Sequence, residues 1–317
     1  MTSFAVVKAV KKIFKVKKVG HTGTLDPFAT GVLPVCLNKA TRFASIVTDL
    51  DKTYRGVIRL GAESDTYDRT GSVKVHEGVR LPDRLEVDAA LGSFRGKILQ
   101  EPPLFSAVKV EGKPLYERAR AGETFDMSQK VREVTLYDVR VNSYAPPMLD
   151  LTIRCSKGTY LRSIAHDLGR KLGTGGLLES LVREAVGPLT LERSFSLSEL
   201  DAEVGPLDVG SAPSMYAKWF FPADELLEAI PEIQVNRADF LELSDGRITD
   251  PDVLIALAKE KNLARAVETL EAGGAIRASD SAGRGTVLIE CQYPEGRKTG
   301  QKFLKPFRVL SRGERLF

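Results

Sequence analysis

The spacing of hydrophobic residues divides the chain into helical and extended stretches. Over residues 3–16, Val6, Val7, Val10, Ile13 and Phe14 recur near helical spacing while lysines fill the opposite face, which predicts an amphipathic helix. Residues 54–60, Tyr-Arg-Gly-Val-Ile-Arg-Leu, alternate instead. They predict a strand ended by Gly61, with Tyr54, Ile58 and Leu60 on one face and Arg55 and Arg59 on the other. Residues 65–71 read as a polar loop. A helix is expected over 82–94, with Asp83 near its N-terminus and Leu85, Ala89 and Leu91 as apolar contacts. Residues 131–144 and 149–155 alternate again and predict two strands joined by a turn at Pro146-Pro147.

Helical periodicity returns over 160–172, where Leu161, Ile164, Ala165, Leu168 and Leu172 form a buried stripe and Arg162 falls off it in the first turn. Residues 177–186 (Leu-Leu-Glu-Ser-Leu-Val-Arg-Glu-Ala-Val) read as a second helical piece. Residues 195–204 read as a third, capped by Ser196 or Ser198. From 205 to 223 the composition shifts to Gly, Pro, Ser and aromatics, as in a linker or peripheral segment. Beyond it, 253–270 reads as helix, 273–285 as loop, and 286–292 and 302–310 as strands. Between 98 and 130, prolines, glycines and basic residues bracket short hydrophobic pieces, including a short helix over 117–121, as in an ordered protruding hairpin or loop. Two domains are expected: a larger one over 1–232 and a small C-terminal unit over 233–317.

Composition narrows the class of protein. The 317 residues are 43% hydrophobic and 28% charged, with a net charge of +4, as in an ordinary globular protein long enough for two domains. No run of eighteen apolar residues exists to span a membrane, and the N-terminus lacks the apolar core and cleavage site of a secretory signal. Cys36, Cys155 and Cys291 are far apart and read as reduced, core-filling thiols of a cytoplasmic protein. The charge is unevenly spread. Residues 1–25 carry Lys8, Lys11, Lys12, Lys15, Lys17 and Lys18 without one acidic residue, a cationic face suited to a phosphate backbone.

Chemistry concentrates in residues 20–31, Gly-His-Thr-Gly-Thr-Leu-Asp-Pro-Phe-Ala-Thr-Gly. Three glycines make this a shaped loop, and Pro27 pushes Asp26 toward an extended backbone, so the loop presents a single carboxylate. Other sites are absent from the sequence. There is no Cys-x-x-Cys, His-Glu-x-x-His or Gly-x-x-x-x-Gly-Lys, and His21, His76 and His166 share no metal-ligand spacing. Gly283-Arg284-Gly285 lacks the third glycine of a dinucleotide loop. The chemistry is expected to rest on ordinary side chains, with no cofactor and no metal.

The twelve-residue loop closely resembles the catalytic motif of the TruB family of tRNA pseudouridine synthases. Further pieces resemble that family in the same order. They are Lys52-Thr53-Tyr54-Arg55-Gly56, the arginine motif Lys157-Gly158-Thr159-Tyr160-Leu161-Arg162-Ser163-Ile164, the leucine segment Leu181-Val182-Arg183, and residues 103–122 as an RNA-gripping thumb, within a thumb region over 98–130.

The resemblance implies an α+β fold with a mixed, largely antiparallel sheet core of pseudouridine-synthase type and a small C-terminal RNA-binding unit, PUA-like or degenerate. Residues 251–282 fit a compact all-β domain poorly. It implies conversion of uridine-55 in the T-loop of tRNA to pseudouridine, a rearrangement needing no oxidant and no energy input. Asp26 is then the nucleophile, attacking either C1′ of the ribose or C6 of the base. Arg162 pairs with it, and Tyr54 stacks on the base and helps remove the C5 proton.

The same resemblance has Leu181 closing the apolar side of the pocket and His21 filling the space left by the flipped base. Asp68 and Tyr160 are weaker candidates for nucleotide contacts, and Lys17, Lys18, Lys109, Lys130 and Arg132 are candidates for phosphates. A monomer acting on the tRNA T-arm stem-loop without an obligate protein partner is expected. The family has an N-terminal strand where this chain begins at Met1, so a longer product is expected. Two other readings are a guide-RNA-dependent pseudouridine synthase and a non-catalytic tRNA-binding or tRNA-folding protein.

Overall fold

The structure is a computed structural model. It describes residues 1–106, 109–110, 113–114, 130–205, 207, 218–221, 223–271, 273–282, 285–292 and 303–311. Packing divides the chain into two units. The first comprises Met1–Lys8, Gly23–Pro34 and Asp51–Ser194; the second comprises Ala9–Thr22, Val35–Leu50 and Phe195–Phe317.

The first unit is built on one mixed sheet. Its strands are β1 (Thr30–Gly31), β2 (Lys52–Leu60), β3 (Gly96–Gln100), β4 (Arg132–Ala145), β5 (Met148–Cys155), β6 (Gly176–Val186) and β7 (Leu189–Thr190). The spatial order is β7-β6-β2-β5-β4-β3, all antiparallel, and the short β1 joins β6 in parallel. The alternation read at 54–60 is realised: Gly56, Ile58 and Leu60 are buried while Arg55 is exposed. Ile58, Leu136, Leu149, Leu151 and Ile153 form the core with Ile164 and Leu168 of the helix Leu161–Lys171.

The helix expected at 177–186 is the strand β6. Its leucines satisfy a helical stripe and a buried strand equally well, and periodicity cannot separate the two over so short a run. Helix propensity is worth only tenths of a kcal/mol per residue, and nine paired positions along β2 outweigh it. The helix at 82–94 is present as Arg84–Gly92, with Asp83 accepting from the Glu86 amide and the Glu86 carboxylate returning to the Asp83 amide. Its buried face is Val87, Ala90 and Leu91, whereas Leu85 and Ala89 point to solvent. The polar loop at 65–71 is the tip of a hairpin, Ala62–Ser64 against Val73–Val75. In the 98–130 region a two-residue ladder joins Lys109–Val110 to Lys113–Pro114. The helix expected at 117–121 lies outside the described residues.

In the second unit, Val19–His21 pairs antiparallel with Val35–Leu37. A four-stranded sheet runs β8 (Glu232–Val235), β9 (Ala275–Asp280), β10 (Gly285–Gln292) and β11 (Phe303–Ser311); β8 and β9 are parallel and the rest antiparallel. Ile233, Ile276, Val287 and Ile289 pack with Leu254 and Leu270 from two helices, Pro251–Glu260 and Ala264–Glu271. The single helix expected over 253–270 is thus two, broken at Asn262, whose φ of 55° is left-handed. The loop expected over 273–285 contains β9, one of the two inner strands. Its small and polar residues (Ala275, Arg277, Ser279) hide an alternation in which Ala275, Ile276, Ala278 and Asp280 are buried. Helix 3–16 ends at Ile13, followed by left-handed Lys15. The helix read at 195–204 is Leu197–Val204, capped by Ser196. Most of the 205–223 stretch lies outside the described residues.

Candidate active site

The segment holding Asp26 is shaped by its own sequence. Asp26, Pro27, Phe28 and Ala29 form a turn closed by the Ala29 amide donating to the Asp26 carbonyl at 2.9 Å, with proline at the position whose φ it pre-sets. The Leu25 amide donates to Ser3 Oγ at 3.0 Å, and Phe28 and Ala29 pack on the main core. The loop leaves through β1. There Gly31, at φ 105°, lies so close to β6 that a Cβ would stand 2.2 Å from the Arg183 carbonyl oxygen. Glycine is required at this position on both counts.

Arg162 enters from the first turn of helix Leu161–Lys171. It lies off the apolar stripe yet is only 4% exposed, so its guanidinium is held in the interior. Its Nε and Nη2 donate to the two Asp26 carboxylate oxygens, each at 2.9 Å. This is the planar bidentate geometry that fixes a carboxylate's direction. The remaining donors are also used: Nη2 bonds the Phe105 carbonyl at 3.0 Å, and Nη1 bonds the Thr66 carbonyl at 3.2 Å and lies 3.6 Å from Asp68 Oδ2.

The helix start that carries Arg162 is itself fixed. The buried Gln100 amide both accepts from the Tyr160 N–H and donates to the Tyr160 carbonyl, and Ser163 Oγ donates to the Glu101 carbonyl. Asp26 keeps 28% of its side chain open. Burial pushes its carboxyl above the ordinary carboxylate range; Arg162 pulls it back through charge and hydrogen bonding, and Asp68 adds to the rise.

Asp68 is turned inward. Its Oδ1 accepts from Thr66 Oγ1, Thr70 Oγ1 and the Thr70 amide, and its side chain is 4% exposed. The loop is stitched to β6, since the Leu178 amide donates to the Tyr67 carbonyl and the Arg69 amide to the Leu178 carbonyl. Its carboxylate is thus engaged within the loop before any nucleotide is present. It braces the loop and faces Arg162, because a buried carboxylate must find donors within the protein.

Tyr54 stands on β2 opposite Arg183 of β6 and packs beside the core. Burial raises its hydroxyl, and the Arg183 guanidinium draws it down by charge and by a hydrogen bond. Leu181 is buried against the same core. Arg132 lies over the Tyr160 ring at 5.5 Å, leaving both side chains half-buried, and Lys130 is half-buried in the turn before β4. Lys109 sits on its short strand, but its side chain lies outside the described residues. His21, Lys17 and Lys18 belong to the second unit; His21 ends the Val19–His21 strand half-buried, and the two lysines are exposed. The structure thus brings Asp26, Arg162, Asp68, Tyr54 and Leu181 together in the first unit.

Three contributors escape the motif reading. Thr66 and Phe105 act through carbonyls, which no side-chain pattern reveals. Arg183 carries a usable signal, a charge inside the apolar run Leu-Val-Arg. Among the described residues no group of His, Cys, Asp and Glu is arranged to hold a metal ion. The three cysteines are buried thiols outside any disulfide, and burial pushes Cys155 up to about 12 and Cys36 up to about 11.

Residues 11–161 match the model of the TruB family pseudouridylate synthase N-terminal domain. Among similar proteins named tRNA pseudouridine synthase B, that of Chromohalobacter salexigens is 40% identical over 247 residues, covering 78% of this chain and 77% of the relative. That of Cupriavidus pinatubonensis is 41% identical over 256 residues, covering 78% of each chain. That of Clostridium tetani is 34% identical over 281 residues, covering 86% of this chain and 93% of the relative.

Among solved structures, a Cbf5-Nop10-Gar1 complex contains a chain matching 97% of this one at a TM-score of 0.63 and 22% identity, covering 82% of that chain. It shares the fold. With a carboxylate fixed by an arginine fork beside a tyrosine on a mixed sheet, and with relatives 34–41% identical over most of their length, the chain belongs to the TruB family of pseudouridylate synthases, which are isomerases.

Proposed function

We propose that the protein converts uridine-55 in the T-loop of tRNA to pseudouridine, with Asp26 as the nucleophile after the base has been flipped out of the loop. The observation that carries this reading is the bidentate Asp26–Arg162 pair. It aims one carboxylate and offsets part of the cost of its burial, with part of its surface open. The reaction breaks the N1–C1′ bond, turns the uracil and forms a C5–C1′ bond, and the C5 proton leaves for N1 through solvent or a protein group. Atoms and electrons balance without a cofactor. Asp26 attacks either C1′ of the ribose or C6 of the base; both give a covalent intermediate that a single carboxylate resolves. Tyr54 stacks on the base and takes part in removing the C5 proton, while Leu181 closes the apolar side.

Recognition of the T-arm is assigned to shape and backbone contacts, as expected for folded RNA. His21 fills the space the flipped base leaves. Tyr160, Lys17, Lys18, Lys109, Lys130 and Arg132 supply contacts to nucleotides and phosphates. The small C-terminal unit adds RNA-binding surface, and the enzyme works as a monomer in the cytoplasm without an obligate protein partner. Support comes from the relatives named tRNA pseudouridine synthase B and from the lysine-rich, acid-free first 25 residues.

The substrate assignment is tested by incubating the protein with unmodified T-arm stem-loop RNA, with the same RNA carrying cytidine at the target position, and with an unrelated stem-loop. Pseudouridine mapped to position 55 of the first RNA alone is the expected result. Modification of the unrelated RNA at equal rate, or no modification of any, would overturn it.

A further inference from the structure

Among the described residues Arg183 is the largest of the fully buried side chains, with 1% exposure. Among the described residues its partners are two main-chain carbonyls and the Tyr54 hydroxyl, not a carboxylate. An internal cation without a counter-ion is costly. A leucine at this position of β6 would fill the core at lower cost, so packing alone gives no reason for arginine.

The placement supplies one. Nε donates to the Val32 carbonyl at 2.7 Å and Nη2 to the Gly23 carbonyl at 3.1 Å. Gly23 and Val32 are the two ends of the segment that carries Asp26. The Arg183 main chain reinforces the same closure, because its carbonyl accepts from the Val32 amide at 2.8 Å and Arg183 pairs with Gly31 in the β1–β6 ladder. On its other edge Arg183 pairs directly with Tyr54 of β2.

We propose that Arg183 is a positioning residue for the isomerisation: its guanidinium clasps both ends of the Asp26 loop and sets the Tyr54 hydroxyl against it. This rests on the roles given above to Asp26 and Tyr54. The planar fork is what the task requires, since two carbonyls on separate backbone segments are served in fixed directions at once. A lysine ammonium keeps the charge but cannot span both carbonyls in that geometry. Misplacing a reacting group by about 1 Å costs on the order of a hundredfold in rate, so the effect belongs in the chemical step and not in RNA binding.

The test measures single-turnover pseudouridine formation at saturating enzyme, and stem-loop affinity, for wild type, Arg183→Lys, Arg183→Gln and Asp26→Asn, with melting temperatures in parallel. Saturating single-turnover conditions read the folded, RNA-bound enzyme, so a lowered melting temperature alone does not change the rate constant. The expected result is affinity within about threefold of wild type, with a rate at least tenfold lower for Arg183→Lys and lower still for Arg183→Gln. Arg183→Lys, which keeps the buried charge and most of the stem, carries the comparison if Arg183→Gln does not fold. Rates within twofold of wild type in the folded variants overturn the role of Arg183, as does an affinity loss matching the rate loss. An inactive wild type, or an active Asp26→Asn, would instead fail the reading of the site on which this role depends.

Discussion

At the scale of single residues the site is governed by one cation shared between two carboxylates. Arg162 satisfies both oxygens of Asp26 and faces Asp68, and each of its three nitrogens donates a hydrogen bond. Replacing it by lysine removes the second parallel bond to Asp26. We expect Arg162→Lys to lower the single-turnover rate by roughly a hundredfold or more while stem-loop affinity stays within about threefold, which filter binding and rapid-quench assays measure. The pH dependence has a definite sign. Burial raises the Asp26 carboxyl in the folded protein, so the folded state holds its proton to higher pH than the unfolded chain does. The stability this contributes is present below the unfolded value and is lost as pH rises through the folded value. Activity rises through the same window as the carboxylate forms. The acid limb of the rate profile should therefore lie above an ordinary aspartate's, and Arg162→Met, which removes the group pulling Asp26 down, should move it higher still. An acid limb at or below the ordinary value would contradict this.

At the scale of elements, the site depends on how three strand segments meet. The loop exit β1 lies on β6, and β6 lies on β2. Gly31 is the tightest point of that junction. We expect Gly31→Ala to cost at least about 1–3 kcal/mol from the left-handed backbone alone, with a parallel loss of activity, as read by denaturant unfolding and product assay. By contrast Asp83→Ala should cost about 1 kcal/mol as a lost helix cap and leave activity unchanged.

These elements also mark how far the sequence can be read. The alternation at 54–60, the helix carrying Arg162 and the capped helix after Asp83 are legible because each has one buried face and a local start signal. Residues 177–186 mislead because both faces of β6, the strand that carries Leu181 and Arg183, are covered, as consecutive buried Leu177 and Leu178 show, and so the period-two pattern is lost. Asp26, Tyr54 and Arg162 are legible through their motifs. The inward turn of Asp68 and the bonds from Arg183 to Gly23 and Val32 are not, since they arise only when distant backbone segments pack together.

At the scale of the whole molecule, RNA recognition should behave as a sum of backbone contacts added to a chemical centre that does not supply affinity. Exposed Lys17 and Lys18, on the second unit, are candidates for that surface. Lys17→Ala with Lys18→Ala should weaken stem-loop binding and leave the saturated rate unchanged. The dependence of log K on log salt should flatten by about 0.7 to 0.9 for each phosphate that is no longer neutralised. An unaltered salt slope would remove these lysines from the interface. The central claim is narrower and concerns one carboxylate. It is tested most directly by incubating unmodified T-arm stem-loop with wild type and with Asp26→Asn, measuring pseudouridine and, on the same RNA, binding. Product from wild type, none from Asp26→Asn, and equal binding by both is the predicted result; equal product from the two proteins would contradict it.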